Sequence, residues 1–189
     1  MQRLKERIMA DGIVKGNDIL KVDNFLNHQL DVDFLNEIGK EFWEHFKDKE
    51  ITRILTIEAS GIAVAAITAQ YFHVPVVFAK KLDSKNLDDE VYVSQVHSFT
   101  RDRSYEIKVA QKYLSSSDRI LIIDDFLAQG NAVMGLKDII EQAGATLVGA
   151  GIVVEKGFQP GGAKLRQAGV DLYSLVIIKE MKDGRIVFA

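Results

Sequence analysis

Two adjacent aspartates, Asp124 and Asp125, follow directly after four apolar residues, 120–123. Four apolar residues without polar alternation predict a strand that is covered on both faces. In an open α/β sheet, ligands bind at the carboxyl ends of such strands, which is where this acid pair lies. Carboxylates at that position can accept hydrogen bonds from the hydroxyl groups of a sugar. The alternative interpretation is a solvated strand end or a helix-capping acid.

The loop after the acid pair, residues 128–132, has small side chains apart from Gln129 and Asn131. Its backbone amides can approach a ligand closely, and the amphipathic stretch behind the loop predicts a helix. Unpaired amides and the helix dipole favour an anion such as phosphate at that helix N-terminus. The carboxylates cannot bind the same phosphate, because like charges repel. A ligand that carries both a sugar-like diol and a phosphate fits the two halves of the segment.

Two better-known phosphate motifs do not describe this loop. Gly130 and Gly135 have the spacing of a P-loop, but Leu136-Lys137-Asp138 follows, so the lysine is one place late and no Ser or Thr binds magnesium. No Gly-x-Gly-x-x-Gly sequence lies between a predicted strand and a predicted helix, which disfavours a dinucleotide-binding fold.

A second strand-to-helix turn is formed by Glu58-Ala59-Ser60-Gly61. Ser60 does not fit a nucleophile elbow, because Glu58 occupies the position where that motif requires glycine. The turn is therefore either a helix N-cap by Ser60 or a second anion-binding loop with accessible amides.

Lysines follow two further predicted strands. Lys80-Lys81 is either a solvated edge or a counter-charge for phosphate, and Lys156 comes after a long apolar strand. Phe158, close to Lys156, offers a flat apolar face for a ring. The four histidines are scattered without metal-ligand spacing, so the protein alone is not expected to form a metal site.

Composition narrows the class of protein. The chain has 189 residues, of which 47% are hydrophobic, so we expect one sizeable domain, 1–189, with a full core. A net charge of −3 gives no electrostatic case for binding nucleic acid or a membrane surface. The apolar runs are too short to span a bilayer. The chain has no cysteine, which excludes disulfides and thiolate metal sites and agrees with a cytoplasmic location.

Hydrophobic periodicity predicts alternating strands and helices. Helices are predicted from the N-terminus to about Gly12 and over 34–46, 61–72, 133–143 and 161–169. Strands are predicted over 51–57, 74–78, 120–123, 147–154 and 172–178. Two more strands are predicted within 91–109, around the polar connection 99–103, and the polar stretch 80–90 predicts a mobile loop. The alternation predicts an α/β fold with a parallel twisted sheet and helices on both faces.

The segment 120–132 resembles the phosphoribosyl-pyrophosphate signature of the type I phosphoribosyltransferases, in which an apolar strand, two acids and a small-residue loop precede a helix. Residues 19–29 and 155–158 are similar to those of the bacterial xanthine phosphoribosyltransferases, and the resemblance covers essentially the whole chain. The usual family loop has threonine, glycine and threonine where this chain has Gln129, Asn131 and Ala132. The xanthine branch shares that substitution.

The resemblance implies transfer of the 5-phosphoribosyl group from phosphoribosyl pyrophosphate to xanthine, with release of pyrophosphate and with Mg²⁺ that arrives with the donor. It also implies a five-stranded parallel sheet flanked by helices, a homodimer, and a hood over the base site from residues 1–40 and part of 155–189. The alternatives are a hypoxanthine or guanine phosphoribosyltransferase, and a catalytically silent nucleotide-sensing regulator of the same fold.

The resemblance also assigns site residues. The catalytic positions are Asp124 and Asp125, which would bind the ribose hydroxyls. The donor-binding positions are Ala128, Gln129, Gly130, Asn131 and Ala132 at the 5-phosphate, with Ala59, Ser60, Gly61 and Lys81 at the pyrophosphate. The purine positions that it gives are Leu20, Asn27 and Lys156, and Phe158 is added to them for the flat face of its ring. Because the usual threonine hydroxyls are missing, the loop amides, Gln129 and Asn131 would hold the phosphate.

Overall fold

The predicted helices and strands are all present in the computed structural model, which describes residues 1–81, 90–98, 103–182 and 184–189. Residues 82–89 and 99–102, which hold most of the expected mobile loop and polar connection, lie outside the described residues. In chain order the elements are α1 (Gln2–Asp11), β1 (Ile13–Lys15), β2 (Ile19–Lys21), a π-helical turn (Asp23–Asn27), α2 (Val32–Phe46), β3 (Arg53–Ile57), α3 (Gly61–Phe72), β4 (Val76–Ala79), β5 (Val91–Ser98), β6 (Arg103–Ala110), a 3-10 turn (Gln111–Tyr113), β7 (Arg119–Leu127), α4 (Asn131–Gln142), β8 (Thr146–Lys156), α5 (Gly161–Gln167), β9 (Leu172–Lys182) and β10 (Arg185–Phe188).

The five predicted apolar strands form one parallel sheet. They lie in the order β4-β3-β7-β8-β9, and each neighbouring pair is parallel. The five-stranded parallel sheet is therefore confirmed. β10 adds a sixth strand at the edge, antiparallel to β9. Within this strand the apolar run is only Ile186, Val187 and Phe188, which is shorter than the four to eight residues that predict a strand.

β7 extends further than the apolar run that predicts it. The prediction ended at residue 123, but β7 continues through Asp124 and Asp125 to Leu127. The two neighbouring strands explain the difference, since pairing with β3 reaches only Ile122 while pairing with β8 reaches Leu127. The acid pair therefore lies within the strand, on a segment that β8 supports beyond the end of the β3 pairing.

Alternate side chains of β7 enter two different apolar clusters, as expected of a strand that is covered on both faces. Leu121 and Ile123 pack in the cluster that contains α2 and α3, whereas Ile120 and Ile122 pack with α4 and the β5–β6 hairpin. All four side chains are fully buried. Helices thus cover both faces of the sheet and leave its strand ends for the site.

The β5–β6 hairpin packs against α4. A Cβ at Gly135 would lie 2.6 Å from Val96 Cγ2, so the missing side chain permits this close contact. Gln142 Nε2 donates to the Val93 carbonyl oxygen at 2.8 Å, and Asn131 Nδ2 donates to the His97 carbonyl oxygen at 2.8 Å. Gly135, whose spacing from Gly130 matches that of a P-loop, therefore allows α4 to pack against the hairpin.

The N-terminal segment shares its apolar cluster with the sheet. Leu4, Ile8 and Phe25 are fully buried in the same cluster as Val153 of β8. α2 begins two residues earlier than predicted, because the Asp31 side chain accepts a hydrogen bond from a backbone amide in its first turn. Within the described residues, the helices are too short or too polar to cross a membrane.

Candidate functional site

The carboxyl ends of β3, β7 and β8 lie at one edge of the sheet, because parallel strands run in the same direction. A cleft of about 580 Å³ opens at this edge. Its walls come from the β1–β2 turn, the β5–β6 hairpin, the end of β8 and the segment from Phe126 to Val133. The cleft therefore contains all five residues of the 128–132 loop and Lys156, which the sequence placed at two separate strand ends.

The acid pair is almost completely buried, with Asp124 5% exposed and Asp125 7% exposed. The Asp125 amide donates to Asp124 Oδ1 at 3.0 Å, and Asn27 Nδ2 donates to Asp125 Oδ2 at 3.5 Å. Burial, and then the neighbouring Asp125 carboxylate, raise the pKa of Asp124 well above its ordinary value, and Lys81 offsets only part of that effect. The protonated form of Asp124 is therefore favoured until a cation or a cationic ligand approaches.

The acid pair could hold a metal ion only together with oxygen atoms of a ligand. Among the described residues, no group of three or more His, Cys, Asp or Glu side chains is arranged to bind a metal. Mg²⁺ prefers oxygen ligands and is commonly bound by one or two carboxylates together with substrate phosphates. The two adjacent aspartates fit a site of this kind, in which substrate phosphates supply the other oxygen ligands.

The 128–132 loop leads directly into α4 and keeps its backbone amides accessible. Gly130 adopts φ +84°, and none of the described side chains caps the first turn of α4. The side chains of Gln129 and Asn131, in contrast, are already engaged: Gln129 Nε2 donates to Gln159 Oε1 at 3.3 Å, and Asn131 bonds to the hairpin. An anion at this helix end would therefore meet backbone N–H groups first.

The turn at residues 58–61 lies beside the acid pair. A Cβ at Gly61 would lie 2.7 Å from Asp124 Oδ1, so only glycine permits this approach. Ser60 makes no capping hydrogen bond to α3, which argues against the simple N-cap interpretation. The peptide bond between Glu58 and Ala59 is cis, and the Lys81 amide donates to the Glu58 carboxylate. The structure thus brings together Ala59, Ser60, Gly61 and Lys81 near Asp124.

Lys156 reaches across the cleft to the N-terminal segment. Its Nζ donates to the Asp18 carbonyl oxygen at 2.6 Å and lies 5.8 Å from the centroid of the Phe126 ring. Burial lowers the pKa of Lys156, and the Asp18 carboxylate offsets part of this shift. Lys156 is therefore a cationic donor held against an aromatic face.

The other purine positions lie at different distances from the cleft. Asn27 contacts the acid pair, as described above, whereas Leu20 is buried in the core beside the cleft-lining Ile19. Phe158 is 39% exposed and does not line the cleft among the described residues. Phe126, an aromatic residue that sequence analysis missed, does line the cleft. Its position directly after the acid pair was the available signal.

Tyr105 is a second cleft residue that sequence analysis did not select. It lies on β6, and Lys81 Nζ is 5.7 Å from the centroid of its ring. Burial, followed by the charge of Asp124, raises the pKa of Tyr105. The hydroxyl therefore stays protonated and can donate a hydrogen bond near the acid pair.

Residues 13–179 match the family model described as the phosphoribosyl transferase domain. The chain belongs to the phosphoribosyltransferase family. A xanthine phosphoribosyltransferase from Ruminiclostridium cellulolyticum is 61% identical over 188 residues, which is 100% of this chain and 99% of that protein. One from Clostridioides difficile is 58% identical over 189 residues, and the alignment covers 100% of both proteins.

A solved phosphoribosyltransferase structure has the same fold. The adenine phosphoribosyltransferase from Trypanosoma brucei superposes with a TM-score of 0.78 at 19% sequence identity. The match covers 92% of this chain and 79% of that chain. The predicted type I phosphoribosyltransferase architecture is therefore confirmed.

Proposed function

We propose that this protein transfers the 5-phosphoribosyl group of phosphoribosyl pyrophosphate to xanthine, which gives xanthosine 5′-monophosphate and pyrophosphate in purine salvage. The observation that carries the proposal is the sharing of one edge of the sheet by three features: a buried carboxylate pair, an uncapped helix N-terminus and Lys156. Relatives at 58% and 61% identity that bear the name xanthine phosphoribosyltransferase support it.

The three parts of the donor match three groups of residues. The ribose hydroxyls would donate hydrogen bonds to the acid pair, Asp124 and Asp125. The 5-phosphate would accept hydrogen bonds from the amides of the 128–132 loop and the first turn of α4. The pyrophosphate would bind the amides of residues 59–61 and the ammonium group of Lys81. The charge of Lys81 already acts on Asp124, because it offsets part of the rise in the pKa of that carboxyl group.

The reaction breaks the bond between the anomeric carbon and pyrophosphate and forms a bond from that carbon to a purine nitrogen. Positive charge develops on the ribose ring as the leaving group departs. A carboxylate pair that is nearly excluded from water stabilises this charge more strongly than exposed carboxylates would. Tyr105 of the hairpin lines the cleft and, with the donor bound, would limit the access of water that could hydrolyse it.

The purine would bind between the end of β8 and the N-terminal segment, where Lys156 meets Asp18. The Lys156 ammonium group would donate to a carbonyl oxygen of an oxopurine, whereas the exocyclic amine of adenine carries only hydrogens toward it. Asn27, Leu20 and Phe158 are the further purine positions. Residues 1–40 and part of 155–189 would form the hood over the base.

Mg²⁺ is proposed to enter with the donor, because the acid pair supplies too few ligands for a separate metal site. When bound, the ion would offset the negative charge of the departing pyrophosphate. Its arrival next to the acid pair would also favour the ionised form of Asp124, whose pKa is raised in the free protein.

The test is product formation followed by absorbance with phosphoribosyl pyrophosphate, Mg²⁺ and each purine in turn. We expect turnover of xanthine, weaker turnover of guanine and hypoxanthine, and loss of activity with a chelator that excess Mg²⁺ restores. Equal efficiency with hypoxanthine would favour the hypoxanthine or guanine alternative. Binding of the donor without turnover of any base would favour the nucleotide-sensing regulator.

We also propose a cytoplasmic homodimer as the active form. Light scattering on the purified protein should then give twice the chain mass of 21.1 kDa. A mass equal to that of one chain would contradict the dimer, without affecting the assignment of the reaction.

Replacing Gly130 by alanine is expected to raise the KM for phosphoribosyl pyrophosphate about tenfold, because the loop amides must move. Gly130 has φ +84°, and an added Cβ would lie 3.1 Å from Gly161 Cα. The left-handed conformation alone costs about 1–2 kcal/mol for an alanine. Gly169 also has a positive φ, +76°, but a Cβ added there would have no neighbouring atom within 4 Å. Gly169→Ala should therefore lose similar stability while the KM for the donor stays unchanged.

A further inference from the structure

The 128–132 loop rests on the backbone of α5. The Gly161 amide donates to the Ala128 carbonyl oxygen at 3.0 Å. A Cβ at Gly161 would lie 2.3 Å from that oxygen and 2.7 Å from the Gly130 nitrogen, so the two backbones touch directly. The position of α5 therefore sets the position of the carbonyl at the beginning of the loop.

A side-chain contact connects the same two segments. Gln129, in the loop, bonds to Gln159, which precedes α5 by two residues. Both glutamines line the cleft. The loop is therefore supported from one side by backbone and side-chain contacts from residues 159–161.

α5 has only seven residues, and an isolated helix of that length is not stable in water. Its anchor is Glu155, which is 3% exposed at the end of β8. Arg166 Nη1 and Nη2 donate to the two carboxylate oxygens of Glu155 at 2.8 and 2.9 Å, and Ser174 Oγ donates to Oε2 at 2.5 Å. Two parallel hydrogen bonds between a guanidinium and a carboxylate make a bidentate ion pair, which is stronger than a single contact and fixes the relative orientation of the two groups.

The fit around Glu155 is close. A Cβ at Gly162 would lie 1.9 Å from Glu155 Oε1, so the helix can approach the carboxylate only through glycine. Burial acts to raise the pKa of Glu155, but the hydrogen bonds from Arg166 and Ser174 outweigh it and hold the pKa below its ordinary value. The carboxylate is therefore charged and fixed on the strand residue that directly precedes Lys156.

We propose that Glu155 and Arg166 are positioning residues for the 5-phosphate end of the donor site. Their ion pair fixes α5 against β8, and α5 in turn fixes the Ala128 carbonyl and the amides that follow it. The inference rests on the proposed function for the identity of the phosphate ligand. Neither side chain has to touch the substrate, since each acts through the loop.

The test separates the two ends of the donor by using ribose 5-phosphate and pyrophosphate as competing inhibitors. In Glu155→Gln, the inhibition constant of ribose 5-phosphate and the KM for phosphoribosyl pyrophosphate should each rise about tenfold. The inhibition constant of pyrophosphate and the KM for xanthine should change less than about twofold. Amide hydrogen exchange of residues 128–132 in the unliganded protein should become faster in the variant.

Asp118→Asn is the matched control. Asp118 is also a buried carboxylate, bonded to Arg53 Nε at 3.1 Å and to the Thr52 hydroxyl at 2.9 Å, but it precedes β7 at the opposite end of the sheet. The Asp118→Asn variant should have a lower melting temperature, but the ratio of the inhibition constants of ribose 5-phosphate and pyrophosphate should not change. Arg166→Met should reproduce the selective effect of Glu155→Gln, and Arg166→Lys should restore part of the wild-type affinity.

The outcomes are distinguishable. A wild-type protein that binds neither inhibitor would contradict the proposed function. Unchanged exchange of the loop amides in Glu155→Gln and Arg166→Met would overturn the positioning role whatever the ligand is. Parallel weakening of both inhibitors, in step with the melting temperature, would also overturn it, since that pattern is expected of general destabilisation.

Discussion

Replacing Asp124 by asparagine is expected to raise the melting temperature at pH 7 and to lower kcat/KM for phosphoribosyl transfer about 10²–10³-fold. Burial and the adjacent Asp125 raise the pKa of Asp124, so ionisation of this group opposes folding. Asparagine keeps the shape and the oxygen that accepts from the Asp125 amide, but it carries no charge. It therefore removes the repulsion together with one of the two charges that stabilise the ribose cation.

The sign of the pH dependence follows from the raised pKa. The folded protein holds the Asp124 proton more tightly than the unfolded chain, so wild-type stability is lost as pH rises through the folded pKa. Each unit of pKa difference is worth about 1.4 kcal/mol, and 1 kcal/mol shifts the melting temperature by about 2–4 °C in a domain of this size. The gain of the variant should vanish below about pH 4, where the unfolded chain is also protonated.

Thermal melts of Asp124→Asn and Asp118→Asn between pH 4 and 8, together with steady-state kinetics, test this prediction. Burial acts to raise the pKa of Asp118, but hydrogen bonds from the Ser115 amide, Thr52 and Arg53 keep it below its ordinary value. Asp118→Asn should therefore lose stability at neutral pH, and the loss should shrink as pH falls. A lower melting temperature in both variants at pH 7 would mean that Asp124 contributes favourable interactions while charged.

The elements of this fold follow from local pattern, because strands buried on both faces and amphipathic helices have distinct periods. Residues 61–72 form α3 with the predicted bounds, and β9 includes the predicted run 172–178. The acid pair and the 128–132 loop could also be predicted from the sequence, because the strand, the acids and the helix are contiguous in the chain. Local order therefore predicted the acid pair and the loop, the part of the site that is proposed to bind the donor.

The remaining parts of the site depend on contacts between distant residues. Lys156 bonds to the Asp18 carbonyl across 138 positions, and neither residue carries a local signal for the other. Phe126 lines the cleft because β7 continues beside β8, which the apolar run did not indicate. The Glu155–Arg166 pair needs α5 to fold back on β8, so the sequence showed an acid and a base without their partnership.

Removing the charge of Lys156 is expected to raise the KM for xanthine about 10²-fold and to leave the KM for phosphoribosyl pyrophosphate near its wild-type value. A charge-assisted hydrogen bond in a partly desolvated site is worth about 2–3 kcal/mol, which corresponds to that change. Lys156→Ala removes the whole side chain, whereas Lys156→Met retains the apolar stem against Phe126. Both variants should lose xanthine affinity if the charge is what counts.

The pH dependence adds an independent measurement. Burial lowers the pKa of Lys156 from its ordinary value of 10.5, so the wild-type protein loses this charge earlier than an exposed lysine would on the alkaline side. The KM for xanthine should therefore rise with pH in the wild type more steeply than in Lys156→Met. Lys179, an exposed lysine on β9, is the matched control, and Lys179→Ala should behave like the wild type in both respects.

The two substrates separate the possible results for Lys156. Equal increases in the KM for xanthine and for phosphoribosyl pyrophosphate would show that Lys156 supports the donor end, since it lies in the same cleft as the 128–132 loop. An effect in Lys156→Ala that is absent in Lys156→Met would assign the role to packing against Phe126. Only a loss of xanthine affinity in both variants, together with a pH dependence that the wild type shows and the variants lack, would show that the ammonium group selects an oxopurine, because the methionine variant has lost the charge and kept the shape.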